Sequence, residues 1–216
     1  MIRVRELGVT EYRDSLERMR RQVAERTAGR DAAGDELWLT EHPPVFTLGF
    51  ASRREHLREP GDIAVVETER GGQVTYHGPG QVVAYLLLDL RRRRLGVREL
   101  VDRLEGGIIR CLSDYGIAGL RRPGAPGIFV KPDCQQATPG LAKIASIGLK
   151  VSRGFTWHGI ALNGSMDLEP FSRIDPCGYS GQMMTDVARQ AGARISVEVD
   201  DLGRRLASAL VQAIEG

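Results

Sequence analysis

Apolar residues in this chain change their spacing from one segment to the next, and helical spacing occurs in four places. The first helix is predicted from one apolar face, formed by Tyr12, Leu16, Met19 and Val23. A second helix is predicted over residues 97–115, with Gly116 as its stop. Two more are predicted over residues 184–191 and 199–214.

Alternating or continuous apolar runs predict the strands. They cover residues 2–7, 37–39, 45–48, 63–67, 82–89, 127–130, 144–151 and 156–163. The run after Gln81 is apolar at every position and therefore predicts a strand buried on both faces. Since strands follow one another with few helices between them, the pattern favours an α+β fold in which helices flank a mixed or antiparallel sheet.

Length and charge narrow the class of protein. A chain of 216 residues can bury a sizeable core as one domain, so we expect a single domain over residues 1–216. With 30 Lys and Arg against 28 Asp and Glu, the net charge of +2 does not argue for nucleic-acid binding. The sequence shows neither an apolar run of membrane-spanning length nor a signal peptide, so we expect a cytoplasmic protein without a membrane partner.

A local excess of positive charge occurs in the run from Arg91 to Arg94. One interpretation is a solvated turn between a strand and a helix. The other is a docking patch that, with Arg53 and Arg54, attracts an acidic partner.

The most unusual segment is residues 70–81, which combines four glycines with a proline, a tyrosine and a histidine directly before the buried strand. Glycine allows the main chain to adopt positive φ and to approach a ligand without a Cβ. The segment therefore predicts a binding loop at the mouth of a core strand.

Lys143 is the one charge in an otherwise apolar segment, at the start of the strand predicted over residues 144–151. A buried ammonium needs a partner or a ligand. Lysines at such positions also extend their head group to solvent, and the residue alone does not decide between the two.

The three cysteines follow neither a disulfide nor a metal spacing and are expected to be free thiols. Cys111 falls in the apolar face of the second helix and is expected in the core. Cys134 lies in a polar loop and carries no prediction. Cys177 lies between Pro176 and Gly178, a rigid setting with little bulk that would present its sulfur to a pocket.

A thiol becomes a nucleophile as its thiolate, which a nearby cation stabilises. If Lys143 met Cys177, the pair would suit acyl transfer, in which sulfur attacks a thioester and an amine then takes the acyl group. Backbone amides of the glycine-rich loop would stabilise the oxyanion. His77 and His158 could in isolation be metal ligands or bases, but their spacing matches no zinc site, and we predict neither a metal nor a cofactor.

Four ordered segments carry a resemblance to a known family: residues 70–81, 143–148, 156–163 and 175–178. Together they closely resemble the signature blocks of the bacterial octanoyltransferases of lipoate biosynthesis, the LipB family. The resemblance runs from about residue 38 to residue 185. It implies a fold similar to the catalytic domains of lipoate and biotin protein ligases.

The resemblance also implies the site. Cys177 would be the acyl-thioester nucleophile, and Lys143 would lower the pKa of that thiol and handle protons. The acyl site would be lined by Arg70, Gly71, Gly72, Gln73, Val74, Thr75, Tyr76, His77, Ser146, Ile147, Gly148, Gly159, Ile160 and Ala161. His158, next to the last of these segments, could equally be a satisfied structural histidine.

The reaction implied is transfer of an octanoyl group from octanoyl-acyl carrier protein to a lysine ε-amine on lipoyl domains, those of 2-oxoacid dehydrogenases and of the glycine cleavage H protein. An ATP-dependent lipoate or biotin ligase is the first alternative, but it would need a nucleotide site and no cysteine nucleophile. A cysteine hydrolase is the second, and Lys143 disfavours it.

Overall fold

The computed structural model describes residues 1–29, 34–132, 140–175, 181–192 and 196–216. Within them ten strands occur: β1 (Arg3–Val9), β2 (Glu36–Glu41), β3 (Val45–Leu48), β4 (Ala64–Glu67), β5 (Thr75–His77), β6 (Gln81–Leu87), β7 (Leu120–Arg121), β8 (Gly127–Val130), β9 (Ala142–Ser152) and β10 (Phe155–Asn163). Seven of them form the main sheet in the order β1-β2-β6-β10-β9-β8-β7, and the other three form a small sheet in the order β4-β3-β5.

Both sheets are mixed. In the main sheet β1 runs parallel to β2, and the other neighbours are antiparallel. In the small sheet β3 is parallel to β4 and antiparallel to β5. The described helices are α1 (Tyr12–Thr27), α2 (Leu90–Arg93), α3 (Val97–Ser113), α4 (Val187–Ala191) and α5 (Val199–Glu215), with 3₁₀ turns at Arg54–His56 and Glu169–Arg173.

The alternation of β6 separates two apolar cores. Val82, Ala84 and Leu86 belong to the larger core, in which α3 and α5 cover the sheet through residues such as Leu104 and Leu206. The side chains between them face the opposite side. The central strand is therefore buried on both faces, as its continuous apolar run predicted.

The second face of the sheet meets α1. Val83, Tyr85 and Leu87 of β6 pack there with the buried stripe of α1, formed by Tyr12, Leu16, Met19 and Val23. A third apolar cluster joins the small sheet to the 3₁₀ turn at Glu169–Arg173 through Phe46, Tyr76 and Phe171. The second face is thus covered by one helix beside a small sheet, and this arrangement leaves room for a site.

The predicted elements agree with the structure in type, and the α+β class with a mixed sheet is confirmed. Three segments differ. Residues 75–77, expected within a loop, form β5 because they pair with β3. Residues 120–121, for which no strand was predicted, form β7 beside β8. The run from Arg91 to Arg94, expected as a solvated turn or a docking patch, lies largely in a short helix, Leu90–Arg93, whose N-cap is Asp89, and Arg92 and Arg93 bind the buried carboxylate of Asp35. The docking patch stays a prediction. Cys134 and Cys177 lie outside the described residues.

Candidate active site

A β-bulge in β9 decides which face Lys143 occupies. Phe129 of β8 pairs with Lys143, whereas the preceding Ile128 pairs with Ala145, so Ile144 is an extra residue. Both Ile144 and Ala145 pack into the helix-covered core. The bulge therefore reverses the alternation of β9 and places Lys143 on the same face as Ser146 and Gly148.

Lys143 is buried, with 2 % of its surface exposed. Its Nζ donates a hydrogen bond to the carbonyl oxygen of Pro126 at 3.1 Å and lies 5.4 Å from the centre of the Phe129 ring, within the range of cation–π attraction. A Cβ on Gly127 would overlap the carbonyl oxygen of Ala145 and lie 2.8 Å from Cε of this lysine, so glycine is required beside it. These contacts fix the ammonium inside the protein, where the sequence alone left a solvent-directed lysine possible.

The chain that follows the undescribed segment 176–180 returns to Lys143. The amide of Lys143 donates to the carbonyl oxygen of Met183 at 2.8 Å, and the amide of Thr185 donates to the carbonyl oxygen of Lys143 at 3.0 Å. On the other side of the segment, the amide of Asp175 donates to His56 and its carboxylate binds Arg58. Both flanks of the segment that contains Cys177 are therefore anchored.

Arg70 shapes the glycine-rich loop. Its guanidinium is buried and donates to the carbonyl oxygens of Thr47 (2.7 Å), Gly71 (2.9 Å) and Gln73 (2.6 Å). The loop lies on β9, where the amide of Gly71 donates to the carbonyl oxygen of Leu149 at 2.9 Å. A Cβ on Gly148 would lie 2.9 Å from the carbonyl oxygen of Gly71, so the close approach of loop and strand depends on glycine.

Between this loop, α1 and the sheet lies a pocket with about 330 Å³ of empty space, part of it open to solvent. It is lined by Tyr12, Arg70, Thr75, His77, Val83, Tyr85, Ser146, Gly148, His158, Gly159, Ile160 and Ala161. Its floor consists of two rows of paired residues. One row is Val83, Ala161 and Ser146, and the other is Tyr85, Gly159 and Gly148.

Eight of the fourteen residues predicted to line an acyl site lie around this pocket: Arg70, Thr75, His77, Ser146, Gly148, Gly159, Ile160 and Ala161. The other six are not part of its lining. Val74 and Tyr76 belong to the third cluster, and Ile147 packs against the helix-covered core. Gly71, Gly72 and Gln73 belong to the turn that Arg70 holds in place.

Tyr12 and Tyr85 also line the pocket, although the sequence suggested only core positions for them. Their apolar spacing was interpreted correctly, since both are buried. The spacing of apolar residues predicts that each tyrosine is buried. It does not show that the two, one on a helix and one on a strand, border the same pocket.

His77 is held by a continuous set of hydrogen bonds. Its Nδ1 lies 2.7 Å from Oε1 of Gln81, whose amide nitrogen donates to Oδ1 of Asn163. Since Gln81 Oε1 accepts, Nδ1 of His77 carries the proton and Nε2 faces the hydroxyl of Thr47 at 3.4 Å. Burial, with the neighbouring His42 adding to it, lowers the pKa of His77 to about 3, so this imidazole is neutral at pH 7.

His42 is a second paired histidine, just behind the lining. Its Nδ1 lies 2.7 Å from the carbonyl oxygen of Thr10, so Nδ1 carries the proton and Nε2 accepts from the hydroxyl of Tyr85, also at 2.7 Å. Burial lowers the pKa of His42 to about 4. Both histidines are satisfied and neutral, and neither supplies positive charge to the pocket.

His158 differs from both. It is 1 % exposed, and within the described part of the chain neither ring nitrogen has a hydrogen-bond partner. Burial lowers the pKa of His158 to about 3. Its backbone has φ of +59°, a conformation that costs a non-glycine residue about 1–3 kcal/mol. The alternative of a satisfied structural histidine is therefore wrong for the described residues.

The family model described as the lipoyl protein ligase A/B catalytic domain matches residues 11–211. Curated relatives named octanoyltransferase include one from Pseudomonas putida (strain W619), 50 % identical over 98 % of this chain and 91 % of the relative, and one from Azotobacter vinelandii, 50 % identical over 97 % and 90 %.

Solved structures with the same fold are more distant in sequence. A bipartite lipoate protein ligase from Thermoplasma acidophilum superposes with a TM-score of 0.70 at 14 % identity, over 99 % of this chain and 83 % of that one. A biotin protein ligase from Aquifex aeolicus, in complex with biotin and ATP, gives a TM-score of 0.58 at 10 % identity, over 99 % and 70 %. At these identities the likeness establishes the fold only.

Proposed function

This chain belongs to the octanoyltransferase family, which is built on the lipoyl protein ligase A/B catalytic domain, and we propose that its acyl-enzyme forms on Cys177 beside Lys143. It is an acyltransferase of protein lipoylation, with an acyl donor and a lipoyl-domain acceptor. The proposed donor is octanoyl-acyl carrier protein. The proposed acceptors are the lipoyl domains of 2-oxoacid dehydrogenases and the glycine cleavage H protein.

The observation that carries the proposal is a buried ammonium on the pocket face of the sheet. The bulge in β9 turns Lys143 toward the side of Ser146 and Gly148, and the chain that follows residues 176–180 is hydrogen-bonded to Lys143. Met183, which is hydrogen-bonded to Lys143, lies six positions after Cys177 in the chain. A thiolate that this short connection holds beside the lysine would be stabilised by the lysine charge.

In the proposed first step, the sulfur of Cys177 attacks the carbonyl carbon of the donor thioester. The bond from that carbon to the carrier sulfur breaks, and the carrier leaves as a thiol after taking a proton. The octanoyl chain then lies in the pocket between the loop and β10. At about 0.8 kcal/mol per buried CH₂, this burial contributes on the order of 5 kcal/mol to binding.

In the second step, the neutral ε-amine of a lipoyl-domain lysine attacks the new thioester, an amide forms, and the thiolate of Cys177 is released. The acceptor ammonium has to lose protons along the way, and we assign Lys143 to their transfer. His42, His77 and His158 are neutral at pH 7 and therefore supply no charge to the thiolate. The donor thioester is already activated, so the proposed reaction needs neither ATP nor a metal.

We further propose that residues 1–216 act as one catalytic domain in the cytoplasm. No helix in the described ranges combines the length and the hydropathy required to cross a bilayer.

The test is incubation with octanoyl-acyl carrier protein, followed by intact-mass measurement of the enzyme. We expect an octanoyl adduct on the wild type without ATP and none on Cys177→Ser. Cys111→Ser is the matched control, because burial raises the pKa of Cys111 to about 12 and keeps that thiol unreactive. An adduct that persists in Cys177→Ser, a strict need for ATP, or release of free octanoate would each overturn the proposal.

A further inference from the structure

His158 reaches the pocket through its unusual backbone. Strict alternation along β10 would place it on the helix-covered face with Ile160, which belongs to that core. The left-handed φ instead turns its ring to the opposite face, where it stacks on the ring of Trp157 with centroids 4.7 Å apart. Trp157 packs in the cluster formed with α1. The backbone of β10 is therefore strained at His158, and this conformation brings the imidazole to the pocket.

The unpaired nitrogens give a second, independent observation. Buried polar side chains in proteins almost always have hydrogen-bond partners, and His42 and His77 beside this pocket do. Among the described residues, His158 has none at either nitrogen. His158 also lines the pocket, so a ligand that fills the pocket would contact this residue.

The order of the paired rows locates His158 within the pocket. Lys143 lies beyond the row of Ser146 and Ala161, on the far side of the bulge. The next row contains Gly148 and Gly159, and His158 follows directly after it. From the lysine to the second row the strand rises about 13 Å, at roughly 3.3 Å per residue, a length that an extended octanoyl thioester approaches when its sulfur and the van der Waals radius of its terminal methyl are included.

In the second row, the carbonyl oxygen of Gly71 and the side chain of Arg70 lie over Gly148, so the pocket is narrow there. Directly beyond this row lies the stacked pair of Trp157 and His158 rings, and His158 lines the same pocket.

We infer that His158 closes the acyl site at the end opposite Lys143 and sets the length of the acyl chain that the site accepts. The inference rests on the proposed function, because it takes the thioester carbonyl to lie beside Lys143. An eight-carbon chain then ends against the imidazole, and longer chains have to displace a ring held by Trp157 and by its own backbone.

The test compares His158→Asn and His158→Gly with the wild type. Glycine and asparagine both adopt positive φ readily, so the backbone keeps its path while the ring is shortened or removed. The readout is kcat/KM with carrier-protein donors of six, eight, ten and twelve carbons. Ratios between donors do not depend on the fraction of active enzyme, so a loss of folded protein does not disturb them.

We expect the ratio of ten-carbon to eight-carbon kcat/KM to rise about tenfold or more in both variants. Thr75→Ala, in β5 on another wall of the pocket, is the matched control and is expected to change rates for all donors together. An unchanged ratio in both His158 variants overturns the inference.

A second measurement separates this inference from the proposed function. The rise in melting temperature caused by free octanoic, decanoic and dodecanoic acids is measured for each protein. If the wild type transfers no octanoyl group, the proposed function fails, but a ranking that moves to longer acids in His158→Gly still supports the end-wall role. A ranking shared by wild type and both variants contradicts it.

Discussion

The two faces of the main sheet use the same strands for different purposes. On the face covered by α3 and α5, the inward side chains are apolar and form one core. On the face toward α1, the buried Lys143 and His158 of these strands lie with the buried Arg70, His42 and His77 of neighbouring loops and of the small sheet, beside a pocket. The comparison teaches that this fold concentrates its stabilising apolar contacts on one face, which allows the other face to carry charge, strain and empty space.

Of the substitutions that distinguish the two faces, Lys143→Met is expected to have the largest effect on octanoyl transfer. Proton transfer by a positioned side chain contributes about 10²–10⁴-fold, so octanoyl transfer should fall by that factor. Replacing a buried charge with an apolar residue of similar volume is often neutral or stabilising, so the free energy of unfolding should not decrease.

Lys150→Met is the matched control, because Lys150 lies on the same strand and the same face of β9 but rests its Nζ over the exposed Phe50 ring. Transfer rates and denaturant unfolding are measured for both variants. Equal losses of transfer in the two would show that Lys143 has no special part in the reaction.

Leu104→Ala should show the opposite behaviour. Leu104 is fully buried in the helix-covered core, and such truncations cost about 2–5 kcal/mol of unfolding free energy. The chain-length profile and the KM for donor should stay as in the wild type, since no lining residue is touched. A shift in either kinetic quantity would mean that the two faces are not independent.

Arg58→Met tests the anchoring of the segment that contains Cys177. Arg58 binds the carboxylate of Asp175, two residues before the cysteine. Loosening this anchor should misplace the proposed nucleophile, and small misplacements cost up to about 10²-fold in rate. Acylation measured in single-turnover experiments should fall more than donor binding does.

Arg54→Met is the comparison for Arg58. Its guanidinium lies 3.7 Å from the carboxylate of Glu67 in a solvent-exposed pair, and exposed pairs contribute about 0–1 kcal/mol. Its acylation rate should remain near that of the wild type. If both arginine variants slow acylation equally, general loss of surface charge explains the effect better than positioning does.

The sequence predicted the helix-covered face better than the pocket face, for a physical reason. The spacing of apolar residues along the chain indicates which of them are buried. The buried faces of α1 and α3, and the burial of β6 on both of its faces, could therefore be predicted. Lys143 was also recognised, because a charge inside an apolar run stands out.

The pocket face depends on departures from periodicity. The bulge at Ile144 and the left-handed φ of His158 each change which face of the sheet a residue occupies. Neither could be predicted from the pattern of apolar and polar residues around it. Tyr85 looked like any core residue, since contacts across strands are long-range. The position of Cys177 stays a prediction.

The smallest expected effect is a dependence of stability on pH that comes from the pocket face. The pKa values of His42, His77 and His158 are lowered to about 4, 3 and 3 in the folded protein, against 6.5 ordinarily. Below pH 6.5 the unfolded chain therefore binds more protons than the folded one. Stability is complete above that pH and decreases as the pH falls toward 4.

Each of these histidines should lower the free energy of unfolding by about 1 kcal/mol per pH unit between pH 6 and pH 4. Urea unfolding at several pH values measures the slope. His42→Gln retains a donor for Thr10 and an acceptor for Tyr85 and should reduce the slope by one histidine's share. Leu104→Ala should lower stability at every pH without changing the slope, because the helix-covered face holds none of the three. A slope that His42→Gln leaves unchanged would mean that His42 takes up protons in the folded protein as readily as in the unfolded chain.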